Sequence, residues 1–245
     1  MSIYFLIIFL SMIFVMAFLY ASVGHGGASG YLAVMALFNV SPEVMKPTAL
    51  ILNLFVSLTA FIHYYRQGHF KKDIFIPIAL ASIPLSYLGG TISLQASVYK
   101  IILGCILFVP IARFLMQKEG DVIEIKQNNI WISLVLGSSI GFLSGLIGIG
   151  GGIILSPLLL MMKWSNLKQT AAISALFIFV NSLAGILGQY NKGIYFSQEM
   201  YYYIGFAFIG GYIGAYFGAN KFDQKYLRLI LALVLFIAAI KLILV

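Results

Sequence analysis

The chain is short of almost everything that a water-soluble protein displays. Of its 245 residues only 9% are charged, where soluble domains carry about 25%, and just seven are acidic. With 62% of the chain hydrophobic and a mean hydropathy of +1.02, no soluble fold of this length could hide so much apolar surface. The single cysteine, Cys105, excludes a disulfide framework and a cysteine metal cluster, and its place in an apolar run reads as packing. No metal-ligand spacing and no cofactor motif is present. The net charge of +8 comes from basic residues that punctuate apolar runs and do not gather on one face, which argues for membrane orientation and against nucleic-acid binding. The first stretch, residues 3 to 22, lacks a basic n-region, and Tyr20-Ala21-Ser22 is a poor cleavage site, so it reads as a membrane segment and not a signal peptide.

What is there is a series of apolar runs near the roughly 20 residues that a helix needs to cross about 30 Å of hydrocarbon. Runs such as Leu229 to Ile240 show no period-two alternation, which excludes a membrane barrel and predicts an all-α integral membrane protein. Punctuation by glycine, proline and charge gives ten segments: 3–22, 26–38, 44–65, 72–93, 98–117, 129–147, 150–162, 166–190, 198–219 and 224–245. The polar stretch 118–128 is a linker between a first half, 1–117, and a second, 129–245. If all ten segments alternate, eleven of the fifteen basic residues fall on one side and Lys46, Lys100, Lys192 and Lys241 on the other. By the positive-inside rule both termini then lie outside the cytoplasm of a cell membrane.

The halves repeat. Gly24-His25-Gly26-Gly27 corresponds to Gly148-Ile149-Gly150-Gly151 at an offset of 124, and Ser57-Leu58, Tyr65, Gly68 and Gly89 correspond to Ser182-Leu183, Tyr190, Gly193 and Gly214 at 125. Five segments per half make the second copy enter from the opposite face, the inverted arrangement of many secondary transporters. Each half opens with a helix pair broken at its glycine-rich junction, and the short second members, 26–38 and 150–162, suit re-entrant helices.

These junctions resemble those of the sulfite exporter TauE/SafE family of membrane transporters. The second copy, Gly145 to Gly152 followed by Ser156-Pro157-Leu158, is closer to the family pattern than the first, Ser22 to Gly27 followed by PEVMKPTALILN. The resemblance implies export or exchange of a small sulfur oxyanion or organosulfonate by alternating access.

A helix that begins inside the membrane offers unpaired N–H groups and about half a positive charge, and glycine lets a ligand approach that backbone. Gly24, His25, Gly26, Gly27, Gly148, Gly150 and Gly151 are therefore candidate substrate-binding residues for a small anion. Close helix packing is the other reading of such glycines, and it fits Gly210, Gly214 and Gly218. Asn53 and Ser57, with Thr48, and Asn181 and Ser182, with Ser174, are polar groups in the third segment of each half that complete a site or bond a neighbouring helix. His25 is the candidate for proton coupling, and a neutral imidazole bonded to a carbonyl is its alternative. Lys46, beside Pro47, reads as an exposed helix start.

Other classes compete. The same glycines suit an anion channel. Gly27-Ala28-Ser29-Gly30 matches a nucleophile pattern, which would make Ser29 with His25 or His63 an intramembrane serine protease; a transporter, with no enzymatic activity, is preferred because Ser29 corresponds to Ile153 in the second half. The lipid bilayer, a small anionic substrate and a coupling proton or ion are the expected partners.

Overall fold

The computed structural model describes residues 3–22, 26–116, 125–190, 193, 199–218 and 224–244. Among them are ten helices and no strand: α1 (Ile3–Ser22), α2 (Ala28–Leu37), α3 (Pro42–Arg66), α4 (Lys72–Thr91), α5 (Ala96–Met116), α6 (Ile130–Ile147), α7 (Gly152–Met161), α8 (Leu167–Tyr190), α9 (Glu199–Gly218) and α10 (Gln224–Leu244). Their ends follow local chemistry. Asn129 caps α6 by accepting from the amides of Trp131 and Ile132, and Gly148 stops it in the left-handed region at φ 90°. Pro42 opens α3, where its missing N–H costs nothing. Helices α4 and α5 run unbroken through Pro77, Pro84 and Pro110.

Four helices, Pro42–Arg66, Lys72–Thr91, Ile130–Ile147 and Lys168–Tyr190, are by themselves long and apolar enough to cross a membrane. Large apolar side chains such as Ile7, Leu80, Val135 and Leu233 stand exposed on the outside of the bundle, and Tyr4, Trp131, Tyr190 and Tyr201 stand exposed near helix ends. Water would oppose that surface, whereas hydrocarbon with aromatic anchors at its boundary matches it. Cys105 belongs to this outer surface and does not pack in the core, because α5 is apolar all round and its sequence carries no sign of which face is inside.

The bundle has two ends. Lys126 N–H donates to the Lys163 carbonyl at 2.8 Å, so the residues before α6 and after α7 lie together; Asn128 also bonds the Asp73 carbonyl at the start of α4. At the other end Lys241 Nζ donates to the Leu37 carbonyl at 2.7 Å, and the Phe9 and Phe38 rings meet at 5.1 Å, so α2 returns towards the start of α1. α4 lies on α6 and α1 on α9, with Gly137, Gly141 and Gly145 set against the carbonyls of Ile78, Ser82 and Ser86, and Gly210 and Gly214 against those of Phe14 and Phe18. In both pairs the contact numbers rise together, so the helices run parallel. Exchanging the halves (α1 for α6, α2 for α7, α3 for α8, α4 for α9, α5 for α10) turns the pair α4–α6 into α9–α1, α2–α3 into α7–α8, α2–α10 into α7–α5 and α4–α8 into α9–α3. The pairs α3–α8 and α5–α10 map onto themselves.

Candidate functional site

Helices α2 and α7 begin within the bundle, each behind a glycine in the left-handed region: Gly27 at φ 90° and Gly151 at φ 74°. Neither N-cap carries a side-chain hydrogen bond, as glycine has none to give. The Gly27 carbonyl accepts from Tyr31 N–H at 3.0 Å and the Gly151 carbonyl from Leu155 N–H at 3.0 Å, so helical winding starts at once. Two helix N-termini, with their partial positive charge, therefore open inside the protein.

They converge. A methyl group placed on Gly26 would lie 3.1 Å from Ile178 and 3.2 Å from Asn53 Oδ1. One placed on Gly150 would lie 2.5 Å from Asn53 Nδ2, 2.9 Å from Ile178 Cγ2 and 3.2 Å from Ser182 Oγ. Glycines 124 residues apart thus lean on the same two side chains, one from α3 and one from α8. Asn53 Nδ2 donates to Ser182 Oγ at 3.3 Å, while Asn53 Oδ1 and Ser57 Oγ are buried without a hydrogen-bond partner. Leaving such an atom unmet costs about 1–3 kcal/mol, so the centre carries polar capacity that the protein does not itself use. The cavity among Tyr20, Gly26, Gly27, Ser29, Asn53, Ile149, Ile153 and Ile178 holds ≈ 10 Å³, room for about one water.

Not every residue singled out from the sequence faces it. Gly27 lies under the Tyr31 ring, Gly148 against the main chain of Lys46, and Gly151 against Phe177 and Ile140, so these three shape the backbone. Gly24 and His25 lie outside the described residues. Asn181 spends Nδ2 on the Phe177 carbonyl of its own helix, and its main-chain oxygen accepts from Ser86 Oγ at 2.8 Å, at the contact with α4. Ser174 pairs with Ser156 at 2.7 Å, and Thr48 is buried with no hydrogen-bond partner. The Ser29 hydroxyl is bonded to Tyr20 Oη at 2.7 Å, and His63 is an exposed side chain beside Gln67.

Lys46 corrects the sequence reading. It is only 8% exposed, and its Nζ reaches the carbonyls of Gly89, Gly90 and Ile92 at 3.5, 3.4 and 3.4 Å. A cation there offsets the negative end of α4, a role that one helix's sequence cannot reveal because the carbonyls belong to another. Sequence reasoning also missed Tyr20, Tyr31 and Ile178. The Tyr31 hydroxyl is wholly buried, has no hydrogen-bond partner, and lies where a Gly27 side chain would begin, at 2.7 Å. The available signal was the failure of the repeat, since Tyr31 corresponds to Leu155 and Asn53 to Ile178.

Residues 8–242 match the family profile described as "Sulfite exporter TauE/SafE". The "Probable membrane transporter protein y4hK" of Sinorhizobium fredii is 38% identical over 233 residues, spanning 94% of each chain. The "Probable membrane transporter protein MJ0441" of Methanocaldococcus jannaschii is 26% identical over 195 residues, covering 74% of this chain and 72% of its own. No solved structure matches the chain significantly.

Proposed function

The chain belongs to the sulfite exporter TauE/SafE family, a family of multi-pass membrane transporters, and from that premise we propose that it carries a small anion by alternating access. Export or exchange of a sulfur oxyanion or organosulfonate is the activity that the family description supports best. The observation that carries the binding site is the meeting of Gly26 and Gly150 at Asn53, with the N-termini of α2 and α7 beside them. An anion there takes backbone N–H groups and positive helix ends without needing a buried arginine or lysine. Gly26, Gly150, Asn53 and Ser182 form its immediate surroundings, Ser57 and the Tyr31 hydroxyl supply further donors, and Gly27, Gly148 and Gly151 hold the strained turns.

The two halves are an inverted repeat, and the packing that survives their exchange supports that reading. The hairpins α1–α2 and α6–α7 are re-entrant, each coming back to the end where it began. The end bearing Arg66, Lys71, Lys72, Lys126 and Lys163 is cytoplasmic and both termini lie outside. A carrier passes through a state closed to both sides, and a centre with room for about one water suits such a state better than a conducting channel. Opening is a rocking of one half on the other across α3 and α8. His25 couples a proton to the cargo, and replacing it with Gln flattens the pH dependence of uptake.

The test is thermal stabilisation of the detergent-purified protein by sulfite, sulfate, thiosulfate, sulfoacetate, taurine and carboxylates, followed by counterflow in proteoliposomes. A saturable shift with one of these anions and trans-stimulated uptake are expected. Single-channel currents would replace the carrier with a pore.

A further inference from the structure

Resting on the anion reading above, we infer that the protein holds a second anion site outside the centre, in the cavity that Lys46 lines where α3 begins and α4 ends. That cavity encloses ≈ 200 Å³, against ≈ 10 Å³ at the centre. Lys46, Glu43, Ser93, Tyr99 and Gln189 give it polar groups, and Leu146 is among its apolar ones. Two of these residues touch the second glycine junction. A methyl group placed on Gly148 would lie 3.0 Å from the Lys46 carbonyl oxygen and 3.1 Å from Lys46 Cγ, and Tyr99 Oη donates to the Ile147 carbonyl at 2.8 Å. Lys46 also stands two turns before Asn53 on the same face of α3, about 10 Å away at a rise of roughly 1.5 Å per residue. One helix face thus carries both the lysine of this cavity and the amide of the centre.

The lysine is suited to receive an anion there. Its Nζ lies 3.4–3.5 Å from the carbonyls at the end of α4, longer than the roughly 2.7–3.2 Å of a good N–H···O bond. An oxyanion in the cavity offers charge-assisted bonds of about 2.7–2.9 Å, roughly twice as strong as those to a neutral carbonyl. The ammonium therefore exchanges a long contact for a short one when the anion arrives. Glu43, exposed and one turn earlier on α3, acts in the opposite sense. Its carboxylate repels the same anion and keeps the site weak enough to empty, as a step on a transport route requires. The second half has no equivalent of the lysine, because Lys46 corresponds to Ala171. This outer site serves one end of the carrier only.

The experiment is calorimetric titration of the full-length protein in detergent with sulfite, sulfate, thiosulfate and sulfoacetate. At least one of these anions occupies two sites in the wild type, and one site remains in Asn53→Leu, which weakens the centre. In that background Lys46→Met weakens the remaining site about tenfold or more, Lys46→Arg holds it within about threefold, and Glu43→Gln strengthens it about threefold. A lysine that only steadies the end of α4 would instead lower the melting transition of Lys46→Met and leave the remaining affinity unchanged, which overturns the proposal. If Lys46→Met does not fold, Glu43→Gln decides: an unchanged or weaker site overturns the proposal. A single site in the wild type, lost in Asn53→Leu, overturns it too, while leaving the anion carrier intact. No binding of any of the four anions to the wild type overturns both.

Discussion

The two glycine junctions correspond in sequence and differ in what surrounds them. At the first, Gly26 is flanked by Ile178 and Asn53, which also flank Gly150 of the second, and the helix that follows carries Ser29 and Tyr31. At the second, three glycines, Gly148, Gly150 and Gly151, hold left-handed angles of 90°, 72° and 74°, while the helix that follows carries Ile153 and Leu155. Both junctions lean on the same pair, Asn53 and Ile178, and differ in the first turn of the helix behind them. The lesson is that one shared centre serves two helix starts of different chemistry, hydroxyls behind the first and alkyl groups behind the second.

That contrast can be broken most forcefully at its glycines. Gly150→Ala combines a left-handed φ, about 1–2 kcal/mol for an L-residue, with a contact of 2.5 Å to Asn53, and overpacking costs about 1–3 kcal/mol. Unfolding in detergent should show a loss of roughly 3 kcal/mol. Gly26→Ala meets only the movable ends of Ile178 and Asn53 at 3.1–3.2 Å, so about 1 kcal/mol or less is expected. Equal losses would erase the distinction.

Binding separates the two asparagines next. Asn53→Leu keeps the volume but removes the amide beside both glycines, and anion affinity should fall at least tenfold, about 1.4 kcal/mol. Asn181→Leu, whose Nδ2 is spent on its own helix and whose buried Oδ1 lies beside neither glycine, should stay within twofold by the same titration. A matching loss at Asn181 would move the site towards α4.

A smaller and oppositely signed effect is expected at Tyr31. Its buried hydroxyl has no partner in the closed state, so Tyr31→Phe should raise the unliganded melting transition, by about 0.5–1 kcal/mol, while weakening the anion about threefold. A drop in unliganded stability would mean that the hydroxyl is structural. Of similar size is Lys46→Met, which removes the cation from the end of α4 and should cost about 1 kcal/mol in the same unfolding measurement. The repeat places Ala171 at the corresponding position of the second half, so a cation there is not a requirement of the fold itself.

Ten helices and the correspondence of Gly26 with Gly150 were legible in the chain. Hydrocarbon of fixed thickness forces apolar runs of fixed length, and a glycine break interrupts them visibly. The side chains around the centre were only half legible. Asn53 and Asn181 look alike in sequence, and only their neighbours tell them apart: Ser182 and the glycines for one, Phe177 and Ser86 for the other.

By itself, then, the sequence determined that this protein lives in a bilayer, that it is helical, and that its two halves share a glycine-broken plan. Tertiary structure alone decided that Gly26 and Gly150 meet at Asn53 and Ile178, and that Lys46 is buried against α4. The reason is physical. In a soluble helix the polar stripe marks the outside, but these helices are apolar all round, so a residue's direction is set by the helix packed against it and leaves no period in the chain.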